Sequence, residues 1–303
     1  MTSCLILFPR HGEPKGKAVV GMMPPVEDGQ VFVLYLQDAP GRDVIANLDQ
    51  VDKHISRARA NYGRFDVVCL PEYFSLGVRR RLGLKTARRV MRQSMARLQE
   101  WARGCRAYVV GGTVPEVKRG RVYDTAFLLD PNGEVIASYR KMHLFADWGE
   151  TAIYRPGDEA KMVDLGFAKL GIAVCRDLRF PHLFGGMREQ GAEIFCVPTS
   201  WNYPYDVDWE VLGRCRALEN QAYFVLSNIT GMHQRERFFG RSMAVDYRGN
   251  VISMMDDRPG YQVVHLDLLA LKQWRETFRL FEHEEARREL YDQQVVDEPG
   301  PAA

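Results

Sequence analysis

The sequence predicts an α/β protein in which helices pack on a β-sheet, and the order of its apolar segments is the main evidence. Val31–Gln37, Asp66–Leu70 and Ala107–Val114 are short runs rich in β-forming residues, and a proline follows the last run, where it is expected to end the strand. Arg42–Ala60 and Thr86–Ala102 separate these runs and carry apolar residues at helical spacing. A β-α-β-α-β order of this kind is typical of helices packed on a sheet.

The rest of the chain adds further strands and two predicted hairpins. Val122–Leu129 and Glu134–Tyr139 flank the turn sequence Asp-Pro-Asn-Gly, and Arg241–Asp246 and Val251–Met255 flank a second turn that contains Gly-Asn. The other predicted elements are the strands Lys169–Val174, Glu193–Val197 and Ala222–Asn228 and the helices Phe184–Gln190, Val207–Asn220 and Leu268–Leu290.

No internal repeat or low-complexity linker divides the chain, so the prediction is one domain over residues 30–291. Residues 1–29 have weak periodicity and are predicted to be an N-terminal extension. Residues 292–303 are rich in acidic residues, proline and glycine and are predicted to be a loose, disordered tail.

Composition excludes several classes of partner and cofactor. The 303 residues are 46% hydrophobic with a net charge of +2, which gives no reason to expect a nucleic acid or an anionic membrane as partner. No apolar run approaches the roughly 20 residues of a membrane-spanning helix, and the start lacks the charge order of a signal peptide. We therefore expect a cytoplasmic protein. The six cysteines form no CxxC pair, so we expect no metal site.

Three apolar strands end in residues that can carry chemistry. Glu72 follows the strand that ends at Leu70, Lys141 follows the first hairpin, and Cys175 follows the strand that ends at Val174. A thiol is mostly protonated at neutral pH and needs a base, which a buried glutamate can be. An ammonium group can stabilise the negative charge that forms on an attacked amide oxygen. Alone, each residue is more often structural; together they predict an amide-cleaving triad.

These segments resemble the motifs of the nitrilase superfamily, the carbon–nitrogen hydrolases. The matching sequences are Leu70-Pro71-Glu72, Arg140-Lys141-Met142-His143-Leu144 and Cys175-Arg176-Asp177-Leu178-Arg179-Phe180-Pro181, with support from residues 149–150, 197–201, 216–223 and 240–242. The resemblance runs from about Val31 to about Leu290. The continuation Leu178-Arg179-Phe180-Pro181 resembles the amidase-like branch that contains ω-amidase and related small-amide hydrolases.

The resemblance implies a four-layer α-β-β-α sandwich, with two mixed β-sheets face to face and helices outside. It implies that Cys175 is the nucleophile, that Glu72 is the general base and later acid, and that Lys141 and the backbone N–H of Arg176 bind the oxyanion. Glu150 matches a second glutamate that positions substrate and orders the lysine. The implied enzyme is a homodimer or higher homo-oligomer that needs no cofactor and cleaves a small-molecule amide.

Several interpretations stay open at this stage. Asp177 stands where nitrile-cleaving members usually have glutamate, which favours amide hydrolysis. Hydrolysis of N-carbamoyl amino acids by the same triad is the alternative, and nitrile hydrolysis ranks below it. Arg176 and Arg179 are expected either to bind a substrate carboxylate or to pair with Asp177 or another acid. Trp201 is expected in the pocket or in the core.

Four further expectations concern neighbouring residues. Besides its role toward substrate, Glu150 is also compatible with a place at a helix start. His143 suggests a Cys–His dyad, but the superfamily has a histidine here that is not the base. Asp124 stands where relatives commonly have asparagine. We expect Glu72→Gln to raise the apparent pKa for alkylation of Cys175, and Glu150→Gln to change it much less.

Overall fold

The computed structural model of the chain describes residues 29–281, in which two β-sheets lie between layers of helices. The strands are β1 (Gln30–Gln37), β2 (Val67–Cys69), β3 (Tyr108–Val110), β4 (Val114–Lys118), β5 (Arg121–Leu129), β6 (Val135–Arg140), β7 (Lys161–Asp164), β8 (Lys169–Ile172), β9 (Ile194–Pro198), β10 (Tyr223–Ser227), β11 (Thr230–His233), β12 (Glu236–Phe239), β13 (Met243–Val245), β14 (Val251–Met254) and β15 (Gly260–Asp267). The helices are α1 (Val44–Tyr62), α2 (Leu84–Cys105), α3 (Pro181–Glu189), α4 (Asp206–Asn220) and α5 (Leu268–Thr277).

Both sheets are mixed. The first has the order β15-β1-β2-β3-β5-β4, with β6 also paired to β5, and its parallel pairs are β1–β2 and β2–β3. The second has the order β14-β13-β10-β9-β8-β7, with parallel pairs β8–β9 and β9–β10. The remaining pairs are antiparallel, and β11–β12 forms a separate hairpin. The predicted four-layer sandwich is confirmed.

The alternation of side chains along the strands explains the layers. On β1, Val33 and Tyr35 point into the core between the sheets, whereas Leu34 and Leu36 belong to a second core under α1 and α2. The other sheet is covered by α3, where Phe184 packs on the rings of Phe195 and Phe224. Both faces of each central strand are therefore buried, which is why these strands are continuously apolar in the sequence.

The predicted strand Ala107–Val114 is wrong as a single element. β3 ends at Val110, and the chain turns at Gly112, where φ is +53° and an added Cβ would lie 2.2 Å from the Pro71 carbonyl oxygen. Only glycine fits so close an approach. Pro115 does not end a strand but lies inside β4, which it can do because β4 is at the edge of the sheet.

Most other predicted elements are confirmed with shifted ends, and both hairpins are present. The predicted helix Leu268–Leu290 is interrupted: α5 ends at Thr277, and residues 280 and 281 are helical again. Its residues from 282 onward lie outside the described chain, as do 1–28 of the predicted extension and the predicted tail 292–303. The strands β7, β11, β12 and β15 have no counterpart among the predicted strands, and β4 shares only Val114 with one. No helix within residues 29–281 is long and apolar enough to cross a membrane.

Candidate active site

The three predicted triad residues come from three different strand ends. Glu72 lies three residues beyond β2 in the first sheet, and Lys141 follows β6 directly. Cys175 lies in the other half of the sandwich, where it starts a short 3₁₀ helix, Cys175–Arg179, after β8. The structure brings these side chains together where the two sheets meet, and all three are buried.

Lys141 is held between two glutamates. Its Nζ lies 2.8 Å from Oε1 of Glu72 and 2.8 Å from Oε1 of Glu150. Burial would lower the pKa of Lys141, but the charges of Glu150 and Glu72 outweigh it and raise that pKa well above its ordinary value. The side chain is therefore an ammonium ion at neutral pH. We call Glu72, Lys141 and Glu150 the ion cluster.

The two glutamates of the ion cluster have further partners. The Ser200 hydroxyl donates to Oε2 of Glu72, so both oxygens of this fully buried carboxylate accept hydrogen bonds. Glu150 accepts the Tyr73 hydroxyl at 2.9 Å on Oε1 and the Phe145 N–H at 2.8 Å on Oε2. Glu150 also begins a short 3₁₀ helix, so both of its sequence-based interpretations fit: it starts a helix and it orders the lysine.

Cys175 has an unusual backbone and a protonated thiol. Its φ of +49° lies in the left-handed region, which non-glycine residues rarely adopt and which is common at active sites. Burial raises the pKa of the thiol well above its ordinary value, and the negative charge of Glu72 raises it further, while Lys141 lowers it. The thiol therefore needs a base at the moment it attacks.

The direction expected for Glu72→Gln is wrong. Because the Glu72 carboxylate raises the pKa of Cys175, its replacement by a neutral amide should lower that pKa rather than raise it. Glu150 also raises the pKa of Cys175, but it ranks below Glu72 and Lys141 among the causes. The prediction that Glu150→Gln has the smaller effect stands.

Asp177 connects the cysteine segment to the lysine segment. Its Oδ2 accepts the Tyr139 hydroxyl at 2.6 Å and the Val174 N–H at 2.9 Å. Its Oδ1 accepts the His143 backbone N–H at 3.0 Å and lies 2.7 Å from the ring nitrogen Nδ1. The His143 ring is thus held by Asp177 and stacked on Phe180, an arrangement that speaks against a Cys–His dyad.

A pocket opens beside Cys175, and two arginines lie along it. Its lining residues are Phe145, Cys175, Arg176, Arg179, Ser200, Trp201, Asn202 and Tyr205. We call Arg176, Arg179 and the rings below them the arginine face. The Arg176 guanidinium lies 4.8 Å above the Phe145 ring, and within residues 29–281 it forms no ion pair. Arg179 lies 4.7 Å above the Trp201 ring and pairs with Asp208 at 2.6 Å.

Both interpretations of Trp201 fit, because it lines the pocket and also belongs to the core between the sheets. Its backbone N–H donates to Asn228 at 2.7 Å, whereas its buried indole Nε1 has no hydrogen-bond partner in the described chain. A buried donor without a partner is uncommon in a folded protein.

Sequence reasoning missed two residues that donate hydrogen bonds to the ion cluster, Tyr73 and Ser200. Both lie next to or inside recognised motifs, so the signal was proximity, but their partners are distant in sequence. Within the described ranges no cluster of three or more His, Cys, Asp or Glu residues has the arrangement of a metal site.

The fold and this site define the class of the protein. The sequence model of the carbon–nitrogen hydrolase family matches residues 32–276, and the chain therefore belongs to that family. The chain is therefore an amidohydrolase that acts on carbon–nitrogen bonds other than peptide bonds.

Individual relatives agree with this assignment. A 2-oxoglutaramate amidase of Paenarthrobacter nicotinovorans is 30% identical over 241 residues, which cover 75% of this chain and 82% of the relative. An omega-amidase of Homo sapiens is 27% identical over 234 residues, with coverage of 74% and 84%. The structure of Nit3 of Saccharomyces cerevisiae, from the nitrilase superfamily, has a TM-score of 0.77 and 25% identity, and the match covers 83% of this chain and 95% of Nit3.

Proposed function

We propose that this chain hydrolyses a small amide through Glu72, Lys141 and Cys175, with a thioester intermediate and release of ammonia or an amine. The observation that carries the proposal is the contact of 2.8 Å between Lys141 Nζ and Glu72 Oε1, fully buried and close enough to Cys175 that both charges alter the pKa of its thiol. A base, a cation and a thiol in one dry site are the groups that amide cleavage needs.

In the acylation step, the Cys175 sulfur attacks the amide carbonyl carbon while Glu72 takes the thiol proton. The carbonyl oxygen becomes an oxyanion, to which Lys141 and the backbone N–H of Arg176 donate hydrogen bonds. Glu72 then returns the proton to the amide nitrogen. The carbon–nitrogen bond breaks, ammonia or an amine leaves, and the acyl group stays on sulfur as a thioester.

In the deacylation step, water attacks the thioester carbon and Glu72 takes a proton from that water. The same oxyanion donors stabilise the second tetrahedral intermediate. Its collapse breaks the carbon–sulfur bond, Glu72 returns the proton to the sulfur, and the carboxylic acid leaves. Glu150 keeps Lys141 directed at the oxyanion, because it accepts from Nζ at 2.8 Å.

The arginine face favours a substrate that carries a carboxylate. Arg176 borders the pocket beside the thiol and has no acidic partner within residues 29–281, whereas Arg179 already pairs with Asp208. A guanidinium binds a carboxylate with two parallel hydrogen bonds. The name of the 2-oxoglutaramate amidase indicates an amide that also bears a carboxylate. We therefore place ω-amides of dicarboxylic acids first among the substrates.

The alternatives use the same residues on a different carbon. An N-carbamoyl amino acid also has a carboxylate for Arg176, so the arginine face does not by itself separate it from an ω-amide. A nitrile is disfavoured by Asp177 at the position where nitrile-cleaving members usually have glutamate. The products identify only the carbamoyl substrate: it gives carbon dioxide, ammonia and the free amino acid, whereas an ω-amide and a nitrile both give ammonia and a carboxylic acid. The amide and the nitrile are therefore compared as separate substrates.

The test is a substrate panel with an assay for the intermediate. Ammonia release is measured with 2-oxoglutaramate, succinamate, butyramide, an N-carbamoyl amino acid and a nitrile, and the acyl-enzyme is sought by mass spectrometry after acid quenching. We expect the two ω-amides to have the highest kcat/KM and to leave an acyl group on Cys175. Faster turnover of the carbamoyl compound or the nitrile overturns the amide assignment, and an acyl group on any other residue overturns the mechanism.

We also propose that the chain forms at least a homodimer. Val207, Val211 and Leu218 lie on one side of α4 and are 69%, 58% and 53% exposed. An apolar stripe on the surface of a helix supports an interface with a second copy. Light scattering at micromolar concentration should give at least twice the monomer mass, and Val211→Glu should reduce it. A monomeric parent chain contradicts the proposal.

A further inference from the structure

Asp124 is a buried carboxyl group that the proposed reaction does not use. It lies on β5 with 1% of its surface exposed. Its backbone carbonyl accepts the N–H of Lys141, the cation of the ion cluster, at 2.9 Å. Its carboxyl group lies near enough to Glu72, Lys141 and Glu150 for their charges to alter its pKa.

The two carboxyl oxygens of Asp124 have unequal surroundings. The Thr113 side chain is near enough to the carboxyl group to lower its pKa slightly against the effect of burial, and Thr113 Oγ1 accepts the Tyr73 backbone N–H at 3.1 Å. Oδ2 is buried and has no hydrogen-bond partner among the described residues. An ionised oxygen in that position would be a buried charge without a donor, which costs far more than a buried neutral hydroxyl.

The charges around Asp124 also favour a neutral carboxyl group. The titratable groups that interact with Asp124 or share its surroundings are Glu72, Lys141, Glu150, Tyr73 and Tyr154. Glu72 and Glu150 are carboxylates and Lys141 is the cation between them, with its Nζ 2.8 Å from an oxygen of each. An ionised Asp124 would make three buried carboxylates around one ammonium.

We propose that Asp124 is a positioning residue that works as a neutral carboxylic acid, and that its neutrality leaves the charge of Lys141 to Glu72, Glu150 and the oxyanion. This inference rests on the proposed function for its catalytic part. Burial, followed by the negative charge of Glu72, raises the pKa of Asp124 well above its ordinary value, in agreement with the geometry. A neutral acid has the same shape as the asparagine amide, with one acceptor and one donor oxygen or nitrogen.

The sign of the effect on stability follows from this protonation. Above pH 3.8, the ordinary pKa of an aspartate, this carboxyl group is ionised in the unfolded chain but neutral in the folded chain. The folded chain must then hold a proton that the unfolded chain releases, so the free energy of unfolding falls as pH rises. Asp124→Asn removes this penalty. The variant should be more stable than the parent chain at neutral pH, and the difference should grow as pH rises from acid to neutral.

The experiment compares the parent chain with Asp124→Asn and Asp124→Ala. Unfolding midpoints are measured at a series of pH values, and kcat/KM is measured with the best amide from the panel. We expect Asp124→Asn to keep kcat/KM within about threefold and Asp124→Ala to lose substantially more, because only the amide preserves the contacts of the neutral acid. The infrared band of a protonated carboxylic acid should be present in the parent chain and absent from Asp124→Asn.

Each readout can overturn the proposal. If Asp124→Asn is less stable than the parent chain at neutral pH and the difference vanishes in acid, Asp124 is an anion in the folded chain. If Asp124→Asn is stabilised but loses activity as severely as Asp124→Ala, the acid proton is itself transferred and Asp124 is not a positioning residue. The stability and infrared measurements need no turnover, so their outcome is independent of whether the proposed amide hydrolysis is correct.

Discussion

Cys175 separates two regions whose polar groups are partnered to different degrees. In the ion cluster, Lys141 and both oxygens of Glu72 and Glu150 have hydrogen-bond partners, and the charges are buried. On the arginine face, Arg176 lies over the Phe145 ring and forms no ion pair within residues 29–281, and the buried indole N–H of Trp201 has no partner there.

Under the proposed function, the ion cluster provides the reactivity and the arginine face provides the selectivity for the substrate. A cluster whose hydrogen bonds are already formed does not need to reorganise when charge develops on the substrate. Under the proposed function, Arg176 gains its partner from a carboxylate-bearing substrate, and a substrate without a carboxylate leaves it unpaired. We therefore expect substitutions in the two regions to have different kinetic effects.

The largest expected effect is at the cysteine between the two regions. Cys175→Ala should lower kcat by about 10⁴-fold or more, since the nucleophile has no substitute. Cys215→Ser is the matched control, because Cys215 is an exposed thiol on α4. Peptide mapping after alkylation should show that loss of activity follows modification of Cys175. Turnover by Cys175→Ala at the parent rate would contradict a thioester mechanism.

The ion cluster is tested next with Glu72→Gln. Loss of the base should lower kcat/KM by about 10³-fold, within the range of general-base catalysis. The apparent pKa for alkylation of Cys175 should fall, because the negative charge of Glu72 is among the causes that raise it. The variant is thus expected to be more readily alkylated and less active. Glu150→Gln, the matched control, should shift the alkylation pKa less while it lowers turnover by about 10²-fold through misplacement. Equal shifts would mean that the two glutamates do not differ in role.

The arginine face is tested with Arg176→Gln. The KM for a carboxylate-bearing amide should rise by about 10- to 100-fold, which corresponds to the loss of hydrogen bonds to a charged group. The kinetics with butyramide should stay unchanged, because that amide has no carboxylate. Arg179→Gln is the control, since Arg179 pairs with Asp208 and should matter less. An equal loss with both substrates would indicate a structural role for Arg176.

The smallest expected effect concerns the connection between the two halves of the site. Tyr139→Phe removes the hydroxyl that donates to Asp177 at 2.6 Å and should lower the free energy of unfolding by about 1–2 kcal/mol. Activity should change only slightly, because the other three contacts of Asp177 remain. Chemical denaturation measures the first effect and steady-state kinetics the second. A large kinetic loss without a stability change would assign Tyr139 to the reaction instead.

The sequence predicted that Glu72, Lys141 and Cys175 meet in one site, but it did not predict their surroundings, and the reason is physical. Glu72, Lys141 and Cys175 each lie in a local motif, so their identity is visible in a few consecutive letters. Their environment depends on contacts between distant segments: Ser200 reaches Glu72 across 128 residues. The orientation of Arg176 over Phe145 likewise depends on how two loops meet, which no periodicity encodes.

The fold shows the same limit. Continuous apolar runs predicted β1, β2 and β9, because strands buried on both faces have few polar residues. The break between β3 and β4 was missed because it depends on the close approach of Gly112 to the Pro71 carbonyl, a tertiary contact. That approach also fixes the residue before Glu72, so the same glycine shapes both the sheet and the site.

The double attachment of Lys141 has a consequence for the timing of entropy loss. A lysine side chain has about 2 kcal/mol of rotamer freedom, which a solvated lysine would lose each time it bound a substrate. Here Nζ lies between two carboxylates, and the backbone on both sides is tied, with Lys141 N–H donating to Asp124 and Gly157 N–H donating to the Lys141 carbonyl. The freedom of this side chain is lost once, when the chain folds. Each later substrate meets a cation whose position and direction no longer depend on the substrate.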